Sequence, residues 1–286
     1  MPTASFRSRT FYWLLCLLLA GTAGNAMAQT PSPMQEWQYS GGEILEHLFQ
    51  PDAPQWRRVV GLAAELEPAY SGSRAYRLQG GPVVDIFYRD IAFASTGNGI
   101  GVNLIRSNHF QAGVSLNYDF GRKEEQDYTN LRGMGNIDPA PEVKVFASWA
   151  LSRKLPLVLR VDARQFVGGA QGAVGDIAIY TPLPGSSRNF VMFAGPSITL
   201  ATHHYLQVMY GVTPQQAAAT GHPVYRFQQN GTAAAGIGFS ATKTISDHWL
   251  LNFEGAYSQF RGHAAHSPVV EDVDQKLATL SFGYHW

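Results

Sequence analysis

From residue 57 to the end of the chain, apolar side chains recur at every second position in long runs. The clearest is His109 to Phe120, where Phe110, Ala112, Val114, Leu116, Tyr118 and Phe120 alternate with Gln111, Gly113, Ser115, Asn117 and Asp119. Glu142 to Leu151, Leu157 to Phe166, Gly231 to Lys243 and His248 to Phe260 repeat the pattern. Within Gln275 to Trp286, Ala278, Leu280, Phe282, Tyr284 and Trp286 share one parity, while Thr279, Ser281, Gly283 and His285 hold the other. A period of two belongs to a strand with one apolar and one polar face. Strands of soluble sheets average about five to six residues and bilayer-spanning strands about 9–11, and these runs have the longer length.

The links between runs alternate in length. Tight turns are expected at Tyr88–Asp90, Ser107–Asn108, Ser152–Lys154, Pro184–Ser187 and Ser246–Asp247. Longer loops are expected at Glu67–Tyr76, Ser95–Ile100, Gly121–Pro141, Gly168–Ala173, Ala201–Asn230 and Arg261–Asp274. Five short turns alternating with six long loops require twelve strands, with both ends of the barrel chain on the short-turn, periplasmic side. The expected fold is all-β: a transmembrane antiparallel up-and-down β-barrel over residues 57–286, closed by the C-terminal strand. The strands look short between Ile91 and Arg106, and both faces of Phe190–Leu200 are apolar.

Size decides which face points inward. A barrel of about eight strands can be filled by side chains, whereas one of twelve leaves an interior too wide for an apolar core. The polar parity is therefore expected inside, where Glu142, Lys144, Arg160, Asp162 and Arg164 on two adjacent strands would form a lumen-lining charge ladder. Trp149, Trp249, Tyr257, Tyr284 and Trp286 would supply interfacial aromatic girdles. A soluble sandwich would instead hide the apolar parity in a core.

The first residues carry a different pattern. Arg7 and Arg9, the apolar run Phe11–Ala20 and the small-x-small sequence Ala26-Met27-Ala28 read as a signal peptide over residues 1–28. Residues 29–56 read as a periplasmic tail, in which Ile44, Leu45, Leu48 and Phe49 fall at helical spacing over about two turns. No segment has the roughly 20 apolar residues of a spanning helix. The only cysteine, Cys16, lies in the leader, so neither a disulfide nor a lipid anchor is expected in the mature chain. The chain holds 21 basic and 21 acidic residues, which leaves no field to attract nucleic acid. Mean hydropathy is −0.12, as expected of a barrel showing hydrocarbon only alternate residues.

Candidate chemistry is sparse. Thr213 can cap a helix, with Pro214 at its first position, Gln216 completing a capping box and Gly221 ending it, and this helix is expected to fold into the barrel mouth. His203, His204, His263 and His266 lie in loops, the last two near Glu271, Asp272 and Asp274, without a spacing that fixes a metal ligand set. Outer-membrane phospholipases are also twelve-stranded and place serine two residues after histidine, but no His-x-Ser occurs here. His266 and Ser267 are adjacent, so on a strand they would point to opposite faces. No catalytic residue and no cofactor are expected.

Four loop segments resemble the MipA/OmpV (MltA-interacting protein) family of outer-membrane proteins. They are Glu67-Pro68-Ala69-Tyr70-Ser71-Gly72-Ser73, Leu131-Arg132-Gly133-Met134-Gly135-Asn136-Ile137-Asp138, Tyr210-Gly211-Val212-Thr213-Pro214-Gln215-Gln216-Ala217 and His266-Ser267-Pro268-Val269-Val270, joined by Phe120-Gly121-Arg122. The chain departs from the family at Asn136 and His266, where an acidic residue is more usual. The resemblance implies a scaffold at the outer membrane of a Gram-negative bacterium, holding a murein-cleaving lytic transglycosylase together with a murein synthase. A diffusion pore, an osmotically regulated or adhesive surface barrel, and an enzyme are the other classes. The closing strand is also similar to that of bacterial outer-membrane barrels, which implies that Leu280, Phe282, Tyr284 and Trp286 form the signal read by the barrel assembly machinery.

Overall fold

The structure, a computed structural model, describes residues 55–89, 91–107, 109–151, 157–187 and 189–286; the expected signal peptide and tail helix lie outside the described residues. Twelve strands follow one another: β1 (Trp56–Pro68), β2 (Tyr76–Tyr88), β3 (Ala92–Ser95), β4 (Gly99–Arg106), β5 (Phe110–Asp119) and β6 (Ala140–Ala150). The second half holds β7 (Val158–Phe166), β8 (Ala173–Pro182), β9 (Phe190–Ala201), β10 (Gly231–Thr244), β11 (Trp249–Phe260) and β12 (Asp274–His285). Each pairs antiparallel with its sequence neighbours, and β12 returns to β1 through pairs such as Leu62↔Phe282 and Val60↔Tyr284, closing the barrel. Two short helices, α1 (His203–Tyr210) and α2 (Pro214–Thr220), lie in the loop between β9 and β10.

The alternation of the sequence becomes the inside and outside of the wall. Leu62, Leu78 and Ile100 point outward at 71%, 75% and 71% exposure, whereas Lys144 and Arg164 point inward at 1% and 2%. Burying one such aliphatic side chain is worth roughly 1.5–3 kcal/mol. A wall that forgoes this on strand after strand while hiding its charges is built for a hydrocarbon medium. Trp56, Trp149, Trp249 and Trp286 ring the short-turn end of the outer face, and Trp249 stacks on Phe282 with centroids 4.7 Å apart.

Three local departures from simple alternation have visible causes. β3 has only four residues, so the wall is low there. β9 is apolar on both faces because its inward Val191 and Phe193 join Ala150, Val158, Ala178, Tyr180, Ala256 and Leu277 in an apolar cluster inside the lumen. The expected parity places Ala233 outside with Ala235 and Ile237, but a bulge between Thr232 and Ala234 turns Ala233 inward, where it is buried under α1. Inward Gly101 and Gly113 make room for rings: a Cβ would lie 2.4 Å from Phe93 at the first and 2.7 Å from Phe146 at the second.

Candidate functional site

The five ladder residues meet on β6 and β7. Register pairs Lys144 with Arg164 and Ser148 with Arg160, while Asp162 faces Phe146. Arg164 Nε lies 3.3 Å from Asp162, and its other end is paired with Asp176 on β8, a residue the alternation did not single out. Asp176 also accepts a hydrogen bond from the Thr199 hydroxyl on β9. Glu142 accepts from Asn117 Nδ2 at 2.9 Å, and Lys144 Nζ donates to Asn98 at 3.3 Å. All five are buried, as are Glu254, Gln275 and Thr279 across the lumen. A water-filled channel would leave such groups wet. Here they pack against one another, and charged groups so enclosed persist only when paired.

Above this layer the long loops pack together at the extracellular end of the barrel. Tyr70, Leu131, Met134, Val212 and Val269 form one buried cluster, with Leu131, Val212 and Val269 at 0% exposure. These residues come from four different loops and from the four segments singled out in the sequence. Tyr70 Oη donates to the Val269 carbonyl (2.9 Å), and Asn130 Nδ2 reaches the same carbonyl (3.1 Å). The Ser71 and Tyr210 hydroxyls are 2.6 Å apart, and Ser267 Oγ donates to the Tyr210 carbonyl (2.6 Å). Gly72 N donates to Gln275 Oε1 (3.0 Å), fastening the first loop to β12. The cap is therefore one hydrogen-bonded unit.

The expected helix at Thr213 is present as α2. Thr213 Oγ1 accepts from Gln216 N (3.2 Å), Gln216 Oε1 accepts from Thr213 N (2.8 Å), Pro214 occupies the first turn and Gly221 ends the helix at φ 79°. None of its residues is buried, and it is tied down by Gln216 donating to the Met134 carbonyl (2.5 Å). The helix that enters the mouth is α1, which the sequence reading missed. Its Tyr205, Leu206 and Tyr210 pack on Phe166, Val174, Ala201 and Phe260 at the strand ends. Tyr205 stacks on Phe166 and Tyr210 meets Phe260 edge-on, both at 5.3 Å. Arg122 Nη1 donates to the Met209 carbonyl in the last turn of α1 (2.6 Å), where a cation suits the unpaired carbonyls of the helix end.

The titratable groups of the cap follow from this burial. Burial pushes the Tyr210 phenol up to about 12, against the opposing effect of its Ser71 hydrogen bond. Burial likewise raises Tyr70 and Tyr205 and lowers the Arg122 guanidinium from its ordinary value. At neutral pH the phenols are uncharged hydrogen-bonding struts.

Ser267 spends its hydroxyl on the Tyr210 carbonyl and on accepting from Val269 N (3.1 Å), while His266 Nδ1 faces the Gly262 carbonyl at 2.9 Å. The pair is committed to turn structure. The His203 and His204 rings lie edge to face at 5.7 Å beside Asn230. Among the described residues no three His, Cys, Asp or Glu side chains are placed to share a metal ion.

The model of the family described as "MltA-interacting protein MipA" matches residues 60–286. Outer membrane protein OmpV of Vibrio cholerae serotype O1 is 26% identical over 98 residues, which make up 34% of this chain and 36% of that protein. Among solved structures, the NanC porin aligns at TM-score 0.45 and 11% identity, covering 79% of this chain and 98% of that one. The CymD monoaromatic hydrocarbon channel aligns at TM-score 0.41 and 9% identity, covering 93% and 95%. Likeness at these scores carries no inference about what is bound or passed.

Proposed function

This chain belongs to the MltA-interacting protein (MipA) family of outer-membrane β-barrels, and from that premise we propose that it is a non-catalytic scaffold for murein-remodelling enzymes. The partners are a lytic transglycosylase and a murein synthase, which meet the barrel at its periplasmic, short-turn side. The observation that supports this reading is the cap. The four loop segments that resemble the family supply a buried cluster at the extracellular mouth, over a lumen whose charged side chains are enclosed. Such a barrel serves as a membrane anchor rather than as a conduit. The outward row Leu280, Phe282, Tyr284 and Trp286 fits the same proposal as the contact with the barrel assembly machinery.

The test is affinity capture of the full chain from detergent-solubilised envelopes, followed by mass spectrometry. Enrichment of a lytic transglycosylase and a murein synthase over an unrelated outer-membrane barrel is the expected result. Recovery of the barrel without either enzyme, under conditions that preserve their other complexes, would overturn it.

A further inference from the structure

The low wall at β3 leaves an apolar furrow of about 660 Å³ on the outer surface. Its floor is made by the small side chains of Ala92 and Ala94, and its sides by Trp56, Ile86, Ile100 and Val102. The volume falls within the roughly 300–1,000 Å³ of small-molecule sites, and the furrow opens toward membrane rather than water. At the short-turn end the Trp56 and Tyr88 rings lie tilted against each other, with centroids 4.6 Å apart and an interplanar angle of 47°.

That same end gathers cations. Arg58 lies 4.8 Å from the Trp56 ring centroid, and Arg89, in the turn after β2 at φ 47°, lies 5.5 Å from that of Tyr88. Arg106, at the end of β4, donates from Nη1 to the Arg89 carbonyl (2.9 Å), which sets a third guanidinium at the rim. Arg89 and Arg106 are exposed and Arg58 is half-buried, and guanidinium forks suit phosphate oxygens.

We propose that this is a binding site for one glycerophospholipid of the periplasmic leaflet, its phosphate held by Arg58, Arg89 and Arg106 and an acyl chain laid in the furrow over Ala92 and Ala94. Charge complementarity selects an anionic head at one end, and the apolar length above it selects a hydrocarbon tail. A free anion satisfies only the first, and a docking protein would have to match both within a strip of wall that membrane otherwise wets. The site is independent of the scaffold reading, because it needs only a barrel standing in a membrane.

Native mass spectrometry of the full chain in detergent, titrated with phosphatidylglycerol, tests it. One lipid retained per barrel is expected, with retention weakened about tenfold in R58Q/R89Q/R106Q. Ala94→Trp fills the furrow while leaving the arginines in place, and is expected to weaken retention similarly. Excess inorganic phosphate, run as a separate arm, is expected not to displace the lipid. Folding of each variant is read from its heat-dependent shift in electrophoretic mobility, and Arg106→Gln alone replaces the triple variant should that not fold. Undiminished retention in either the arginine or the Ala94 variant, or displacement by phosphate, overturns the site.

Discussion

Asp176→Ala is expected to destabilise the barrel by about 3 kcal/mol, because it strips a buried guanidinium of its principal counter-charge. Arg164 would lose one of its carboxylate partners, and the Thr199 hydroxyl would lose its acceptor. The cost is that of an uncompensated charge in an enclosed place, so removing both partners is expected to cost less. Arg164→Met combined with Asp176→Leu should recover more than half of the loss. Urea titration of the folded barrel in lipid, followed by tryptophan emission, checks this through the shift in midpoint. The exposed loop pair Lys123–Glu125, at 3.6 Å, is the internal control, since such pairs contribute roughly 0–1 kcal/mol. Equal small effects at both sites would mean that water reaches Arg164 freely.

The second large effect is expected at the centre of the cap. Leu131 is fully buried between Tyr70, Met134, Val212 and Val269, and shortening it to alanine removes contacts and leaves a void worth about 2–5 kcal/mol. The damage should be read in a different loop. Val212 and Tyr225 exchange two backbone hydrogen bonds, of 2.8 and 2.9 Å, within the β9–β10 loop. In Leu131→Ala their amides are expected to exchange with solvent deuterium at least about 30-fold faster, while those of β6 and β7 keep their protection. Unchanged exchange at Val212 and Tyr225 would show that the loops fold independently and that the cap is not one unit.

The wall of this barrel was legible because one chemical variable, apolar against polar, alternates with the period of the backbone. That alternation located β5, β6, β7, β10, β11 and β12 to within about two residues. Among the described residues, the tight turns at Pro184–Ser187 and Ser246–Asp247 fell where Pro, Gly, Ser and Asp interrupt it. α2 was legible for a different reason, since Thr213, Pro214, Gln216 and Gly221 carry capping chemistry in their types and spacing. α1 carries no such mark. Its N-cap, Thr202, makes no capping hydrogen bond, and its hydroxyl donates instead to the Ala173 carbonyl at 3.1 Å, so the helix is set by the buried surface of Tyr205, Leu206 and Tyr210. Asp176 was overlooked because the other inward residues of β8, Val174, Ala178 and Tyr180, are apolar, and its importance comes from Arg164 on the neighbouring strand. Ala233 was misplaced because a bulge shifts register without a signal in residue type. The convergence of four loop segments on one cluster is a property of closure, which brings together residues nearly 200 positions apart.

On this account the lumen is shut, by the cap above and by the enclosed charged and polar side chains within. Recording from the full chain in planar lipid bilayers tests that claim most directly. The expected trace is flat at potentials that open stepwise currents in a general porin measured alongside it. Steady single-channel steps from the purified, folded chain would contradict it.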